Sequence, residues 1–159
     1  MTSLVVVMGV TGSGKSTVGM ALAERMGVPF AVADDFHSPA NVAKMRSGTP
    51  LTDDDRRPWL LAIGEWLAGH PDGAVVTCSA LKRRYRDTLR EAAPAITFLH
   101  LHGDKDTVRR RVGARPGHFM PTSLVDSQFA DLEPLGDDER GTVVDFSLPV
   151  DVIVARFLE

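Results

Sequence analysis

Between residues 9 and 16 the chain reads Gly9-Val-Thr-Gly-Ser-Gly-Lys15-Ser16: a glycine, four residues, then Gly-Lys-Ser. That pattern suits polyphosphate. Glycines admit backbone conformations closed to other residues, so successive N–H groups can turn toward phosphate oxygens. A helix starting within the motif adds the positive end of its dipole. Lys15 supplies a full charge for the β- and γ-phosphates, and the Ser16 hydroxyl suits Mg²⁺. Gly9, Thr11, Gly12, Ser13, Gly14, Lys15, Ser16 and Thr17 are therefore the expected nucleotide-binding residues, with ATP and Mg²⁺ as the expected cofactors. Triphosphate binding alone does not separate kinases, GTPases and motor ATPases.

The elements that must position this loop follow from patterning. Leu4 to Met8 is a continuous apolar run, as in a parallel strand covered on both faces. Val18, Ala21, Leu22 and Met26 share one face of a helix over 15–26, and Gly27 suits its C-terminal stop. Further strands are predicted at 30–33, 74–78, 96–101 and 142–146. Further helices are predicted at 39–46, from near Pro58 to 69, and at 80–92, 104–114, 122–132 and 150–158. A polar loop is expected over 48–55. Strands and helices alternate, which predicts an α/β fold with a five-stranded parallel sheet between helical layers. Ligands of such sheets bind beyond the carboxyl ends of the strands. The chain is read as one domain over residues 1–159.

The 159 residues carry a net charge of −3, which gives no general attraction to nucleic acid or anionic membranes. The apolar start lacks a basic leader and is too short to span a membrane. Cys78 is the only cysteine, so no intramolecular disulfide or cysteine-based zinc site is expected, and a cytoplasmic location suits this.

No Asn-Lys-x-Asp guanine motif is present, and the third strand ends Thr77-Cys78-Ser79 rather than in a metal-binding aspartate. A small-molecule or nucleotide kinase remains. Three blocks then resemble the gluconokinases. The first runs from Asp34-Asp35-Phe36-His37 through Asn41, Lys44-Met45, Gly48 and Pro50-Leu51 to Asp53-x-Asp55-Arg56-x-Pro58-Trp59-Leu60. The second is Cys78-Ser79-Ala80-Leu81-Lys82-x-x-Tyr85-Arg86-Asp87. The third is Arg111-x-x-x-Arg115-x-Gly117-His118-Phe119 with Ser127-Gln128-Phe129-x-x-Leu132-Glu133. This resemblance covers essentially the whole chain. It implies a nucleoside-kinase-like fold with a mobile lid near 111–122, phosphate transfer from ATP to the terminal hydroxyl of D-gluconate, Mg²⁺ dependence and a homodimer. Val32 stands where the family has the first aspartate of an Asp-x-Asp pair, and Ser38 where it has proline.

The residues support roles of two kinds each. Asp34 past the second strand could accept the proton of an attacking hydroxyl, or merely cap a turn; Asp35 is the fallback. Arg56 could fork onto a substrate carboxylate, or pair with Asp53 or Asp55. Lys82 and Arg86, four apart, could complete an anion site from one helix face. Ser79 could bind a substrate hydroxyl or cap that helix, and Gln128 could reach substrate hydroxyls. Arg111 and Arg115 suit a lid that meets charge on the transferred phosphoryl, with Lys15 and Asp34 completing the catalytic set. His37 is assigned to substrate contact or loop shaping, and His118 to structure. Trp59 and Trp66 read as one core stripe, Tyr85 as structural, and Cys78 as core. A shikimate-type acid kinase and a non-catalytic nucleotide sensor are the competing readings.

Overall fold

The computed structural model describes residues 4–113 and 122–159. Its centre is β1 (Leu4–Met8), flanked by β3 (Ala74–Thr77) and β4 (Ile96–His102). The short β2 (Phe30–Val32) and β5 (Gly141–Asp145) lie at the two edges, giving the order β2-β3-β1-β4-β5 with every pairing parallel. The period of two in a strand divides β1 between two cores. Val5 and Val7 face a cluster with Val18 and Leu22 of α1 (Lys15–Met26) and Ile153 of α7 (Val150–Leu158). Leu4, Val6 and Met8 face a cluster with Leu60, Ile63 and Leu67 of α3 (Asp53–Ala68) and Leu89 of α4 (Arg83–Ala92). The result is the expected three-layer α/β architecture.

The remaining helices are α2 (Pro39–Arg46), α5 (Lys105–Gly113) and α6 (Thr122–Asp131). Most boundaries fall within a residue or two of expectation, and α1, α2 and α7 agree at both ends. Gly27 ends α1 in the left-handed conformation, its N–H bonding the carbonyls of Ala23 and Glu24.

Two boundaries differ in ways that matter. Helix α3 starts at Asp53, five residues before Pro58, because Thr52 and Asp55 form a reciprocal capping box. The acidic run expected in a loop is thus the first helical turn, where the dipole favours it. Helix α4 starts at Arg83, not Ala80. Ala80 has φ 44°, the one positive φ of a non-glycine among the described residues, and Lys82 is an extended N-cap. A 3₁₀ turn over Ala33–Phe36, unforeseen in the sequence, carries Asp34 off the end of β2.

Candidate active site

The loop from Gly9 to Gly14 joins β1 to α1 and needs its glycines. Gly12 and Gly14 have φ of 78° and 93°. A Cβ on Gly9 would lie 2.8 Å from the Leu101 carbonyl oxygen and equally close to the Ser13 hydroxyl. The first intrahelical bond is made by Val18 N–H to the Gly14 carbonyl, so the amides of residues 15–17 have no helical acceptor. Lys15 curls over the loop, with Nζ donating to the carbonyls of Gly9 and Val10 at 3.0 Å each.

Beneath this loop lies a cavity of about 410 Å³. Thr11, Gly12, Gly14, Lys15 and Ser16 form one wall, and Val32, Ala33 and Asp34 another. Thr77, Cys78, Ser79, Trp59 and Gln128 complete it among the described residues. Thus the ends of β2 and β3 meet the phosphate loop, as the topology demands. Ser13 is buried and Thr17 exposed; neither lines the cavity.

Asp34 is exposed on the cavity wall. Its turn is held from α3: the Trp59 indole N–H donates to the Ala33 carbonyl at 2.7 Å. The other side of Trp59 is occupied by His37, stacked at 4.3 Å with an 11° interplanar angle. Desolvation lowers the His37 pKa; Asp34 opposes this and Arg56 adds to it.

An adjoining cavity of about 320 Å³ shares Ser79 and Gln128 with the first. Tyr85 is its hub. Arg56, Lys82 and Arg84 place their cationic groups 5.5 to 5.9 Å from the Tyr85 ring centroid. The Tyr85 hydroxyl donates to Asp53 at 2.8 Å and accepts from Arg56 at 3.2 Å. The Asp53 carboxyl is lowered, first by that hydroxyl and further by the charges of Arg84, Lys82 and Arg56. Asp53 also pairs with Arg84 at 2.7 Å, and Arg56 stands 3.6 Å from it. Arg56, Lys82 and Arg84 thus gather around Asp53, and the cavity wall carries Arg56 and Lys82 alongside Asp53 and Asp131. Asp55 is not part of this group; it binds Lys44 and the Thr52 N–H.

A family model described as an AAA domain matches residues 4–135. Gluconokinase of Gluconobacter oxydans is 48% identical, the match covering 96% of this chain and 88% of that protein. The thermoresistant gluconokinase of Escherichia coli is 42% identical, covering 97% and 90%. A solved gluconokinase from Sinorhizobium meliloti is 51% identical with a TM-score of 0.87, covering 98% of this chain and 89% of that one. The chain belongs to the gluconokinase family. A shikimate kinase from Bacteroides thetaiotaomicron, at 16% identity and a TM-score of 0.68 over 97% of this chain and 95% of that one, shares the fold alone. As a gluconokinase-family member the protein is a small-molecule kinase.

One side chain expected at the gluconokinase site is turned elsewhere. Arg86 does not face substrate. It is fully buried and spends all five N–H donors inside the protein: two on Glu139, at 2.7 and 3.0 Å, and one each on the carbonyls of Ala80, Leu81 and Pro134. Lys82 lies outside the helix, so the four-residue spacing puts the two side chains in different places. Arg111 reaches the phosphate loop itself rather than the cavity wall. It bonds the carbonyls of Gly12, Ser13 and Phe146, with its guanidinium 4.5 Å from the Phe146 ring centroid. Arg115, His118 and nearly all of the expected lid lie outside the described residues.

Asp35, the fallback carboxylate, does not line the cavity, whereas Val32 does. Trp59 and Tyr85 were undervalued in the sequence. Their place within the Asp53–Leu60 and Cys78–Asp87 blocks was the available signal. Cys78 is buried as expected, and burial pushes its thiol up to about 12.

Proposed function

We propose that the protein transfers the γ-phosphate of ATP to the terminal hydroxyl of D-gluconate, giving ADP and 6-phosphogluconate. One observation carries this reading: a phosphate-loop cavity holding Asp34 opens beside a second cavity lined by Arg56 and Lys82, the two sharing Ser79 and Gln128. The phosphate loop takes the triphosphate. Arg56 and Lys82 take the carboxylate of the acid, a charge-assisted interaction stronger than one with a neutral sugar. That polarity points the far, hydroxyl-bearing end of the chain toward Asp34.

The attacking oxygen forms the new bond to γ-phosphorus as the bond to the β-phosphate oxygen breaks. Asp34 accepts the hydroxyl proton, and ADP carries the electron pair away. Lys15 leaves its loop carbonyls for the β- and γ-phosphates. Ser79 and Gln128 orient substrate hydroxyls, and His37 shapes the wall through Trp59. Arg111, at the phosphate loop, and Arg115 are the candidates for lid arginines on the phosphoryl group.

The residues present suit a Mg²⁺ ion that arrives with the nucleotide. Among the described residues no cluster of three or more His, Cys, Asp or Glu could cage a metal. Ser16 lines the cavity, and its hydroxyl would give Mg²⁺ a protein oxygen alongside the phosphates. Mg²⁺ so bound neutralises charge on the transferred group. Val32 leaves that support one carboxylate poorer than in the family pattern. The proposal includes a cytoplasmic homodimer, supported by the family resemblance and by a buried, unreactive thiol; no helix among the described residues is long and apolar enough to cross a membrane.

A panel of sugar acids tests this directly. ADP release should be stimulated by D-gluconate and not by shikimate. Stimulation by shikimate alone selects the competing kinase, and no stimulation by any acid selects a nucleotide sensor. Asp34→Asn should lower turnover by at least about a hundredfold with ATP affinity retained; near-normal turnover would remove Asp34 from its role.

A further inference from the structure

We propose that Gln128 is a positioning residue that couples the two cavities, holding the phosphate loop at rest and turning to the acceptor when a triphosphate arrives. The Thr11 N–H donates to the Gln128 side-chain oxygen at 2.6 Å, across 117 residues of sequence. The donor is a backbone amide, so the accepting atom is the oxygen of Gln128 and not its nitrogen. Thr11 lines the cavity as part of the phosphate loop, where the proposed function seats the triphosphate. An N–H shared between the Gln128 carbonyl and a phosphate oxygen binds each more weakly and brings two electron-rich oxygens together, so the charged phosphate oxygen wins it. Occupation of the loop therefore displaces the Gln128 amide.

The displaced amide has one place to go. Gln128 lies on the wall of both cavities and is half-buried, so it can rotate without unpacking the core. Its helix is anchored just beyond it on the acceptor side. The Glu133 N–H donates to the Leu81 carbonyl at 2.7 Å, and the Glu133 carboxylate accepts from the Arg83 N–H at 3.3 Å. The side chain swings while α6 stays. It then offers an NH₂ and a carbonyl beside Ser79, where acceptor hydroxyls need donors and acceptors together. Nucleotide binding thus completes the acceptor site, and linkage requires the acceptor to tighten nucleotide binding by the same factor.

The coupling rests on the gluconate reading; the resting contact does not. Calorimetric titration with a non-hydrolysable ATP analogue and Mg²⁺, with and without D-gluconate, separates them. In the wild-type protein gluconate should tighten analogue binding by about fivefold or more. Gln128→Ala should bind the analogue alone as well as wild type or up to about tenfold more tightly, having no contact to break, and gluconate should change nothing. Gln128→Glu, whose carboxylate keeps the contact and repels phosphate, should bind the analogue at least about tenfold more weakly. Weaker analogue binding by Gln128→Ala, or wild-type binding by Gln128→Glu, overturns the resting contact. Coupling that persists in Gln128→Ala, or is absent from wild type that binds gluconate, overturns the coupling. Failure of every variant to bind gluconate overturns the substrate reading instead, and the analogue-only comparison still decides the gate.

Discussion

Replacing Arg86 by alanine separates a residue of the core from a residue of the site. The substitution removes five hydrogen bonds and leaves the carbonyls of Ala80, Leu81 and Pro134 without that donor. The Glu139 side chain, 1% exposed, keeps the Gly136 N–H, Arg90 and, at 4.0 Å, Arg83. Burial opposes its ionisation, yet Arg86, Gly136 and Arg90 hold its pKa down at about 2. Stranding one partner of a buried pair costs about 3–5 kcal/mol. A domain of this size has roughly 5–15 kcal/mol in all, and the loss corresponds to a melting point lower by about 6–20 °C. Urea or thermal unfolding followed by circular dichroism reads this directly. Arg86→Lys should recover only part of it, since an ammonium cannot reproduce the planar fork. A variant Arg86→Ala with wild-type stability and a raised KM for gluconate would refute the argument and return Arg86 to the substrate.

Three further outcomes follow from the geometry. Trp59→Phe keeps the ring but loses the N–H that holds the Ala33 carbonyl; kcat should fall by about two- to tenfold with ATP affinity unchanged, and an unchanged kcat would show that the turn positions itself. Lys82→Met should raise the KM for gluconate by roughly ten- to a hundredfold with a much smaller change in kcat, and steady-state kinetics showing the reverse would move Lys82 to the reaction centre. His100, buried with neither ring nitrogen bonded among the described residues, is lowered to about 4 by desolvation, with His102 and Arg86 adding to this. The unfolded chain therefore binds the extra proton between pH 6.5 and 4, and about 3 kcal/mol of stability is lost as pH falls through that window. His100→Leu should flatten this slope without loss at pH 7, and an unaltered pH–stability profile would exclude His100 as its source.

The fold was legible because its signals are local and repeated. Apolar runs of β1, β3 and β4 state their own burial, and glycine at 27 and the spacing within α1 mark a helix with both ends. What the chain could not show was where α4 begins. Nothing in Ala80-Leu81-Lys82 announces a positive φ at an alanine, and the helical spacing rule for Lys82 and Arg86 fails once Lys82 lies before the first turn. Nor could it show that Glu139, 53 residues on, would claim Arg86. The acidic run before Arg56 was ambiguous for a different reason: one carboxylate, Asp55, closes the capping box while Asp53 joins Tyr85, and only the fold separates them. The cavity residues near glycines and strand ends were found, because strand ends are where this topology gathers ligands. Trp59 was not, since a seven-residue spacing to Trp66 describes a stripe equally well whether its end meets core or cavity.

The stack of Trp59 on His37 also gives the protein an optical handle. Trp66 sits away from the cavities, edge-on to Phe36 at 6.0 Å and 4.6 Å from His70, so its emission is a steady background. Trp59 is the one indole on a cavity wall, and its excited state is in contact with an imidazole whose charge answers to Asp34 and Arg56. Filling the cavity should change the polarity around that indole. Ligand arrival at the phosphate-loop cavity should thus register in the intrinsic fluorescence of the unlabelled protein, where a stopped-flow trace can time it.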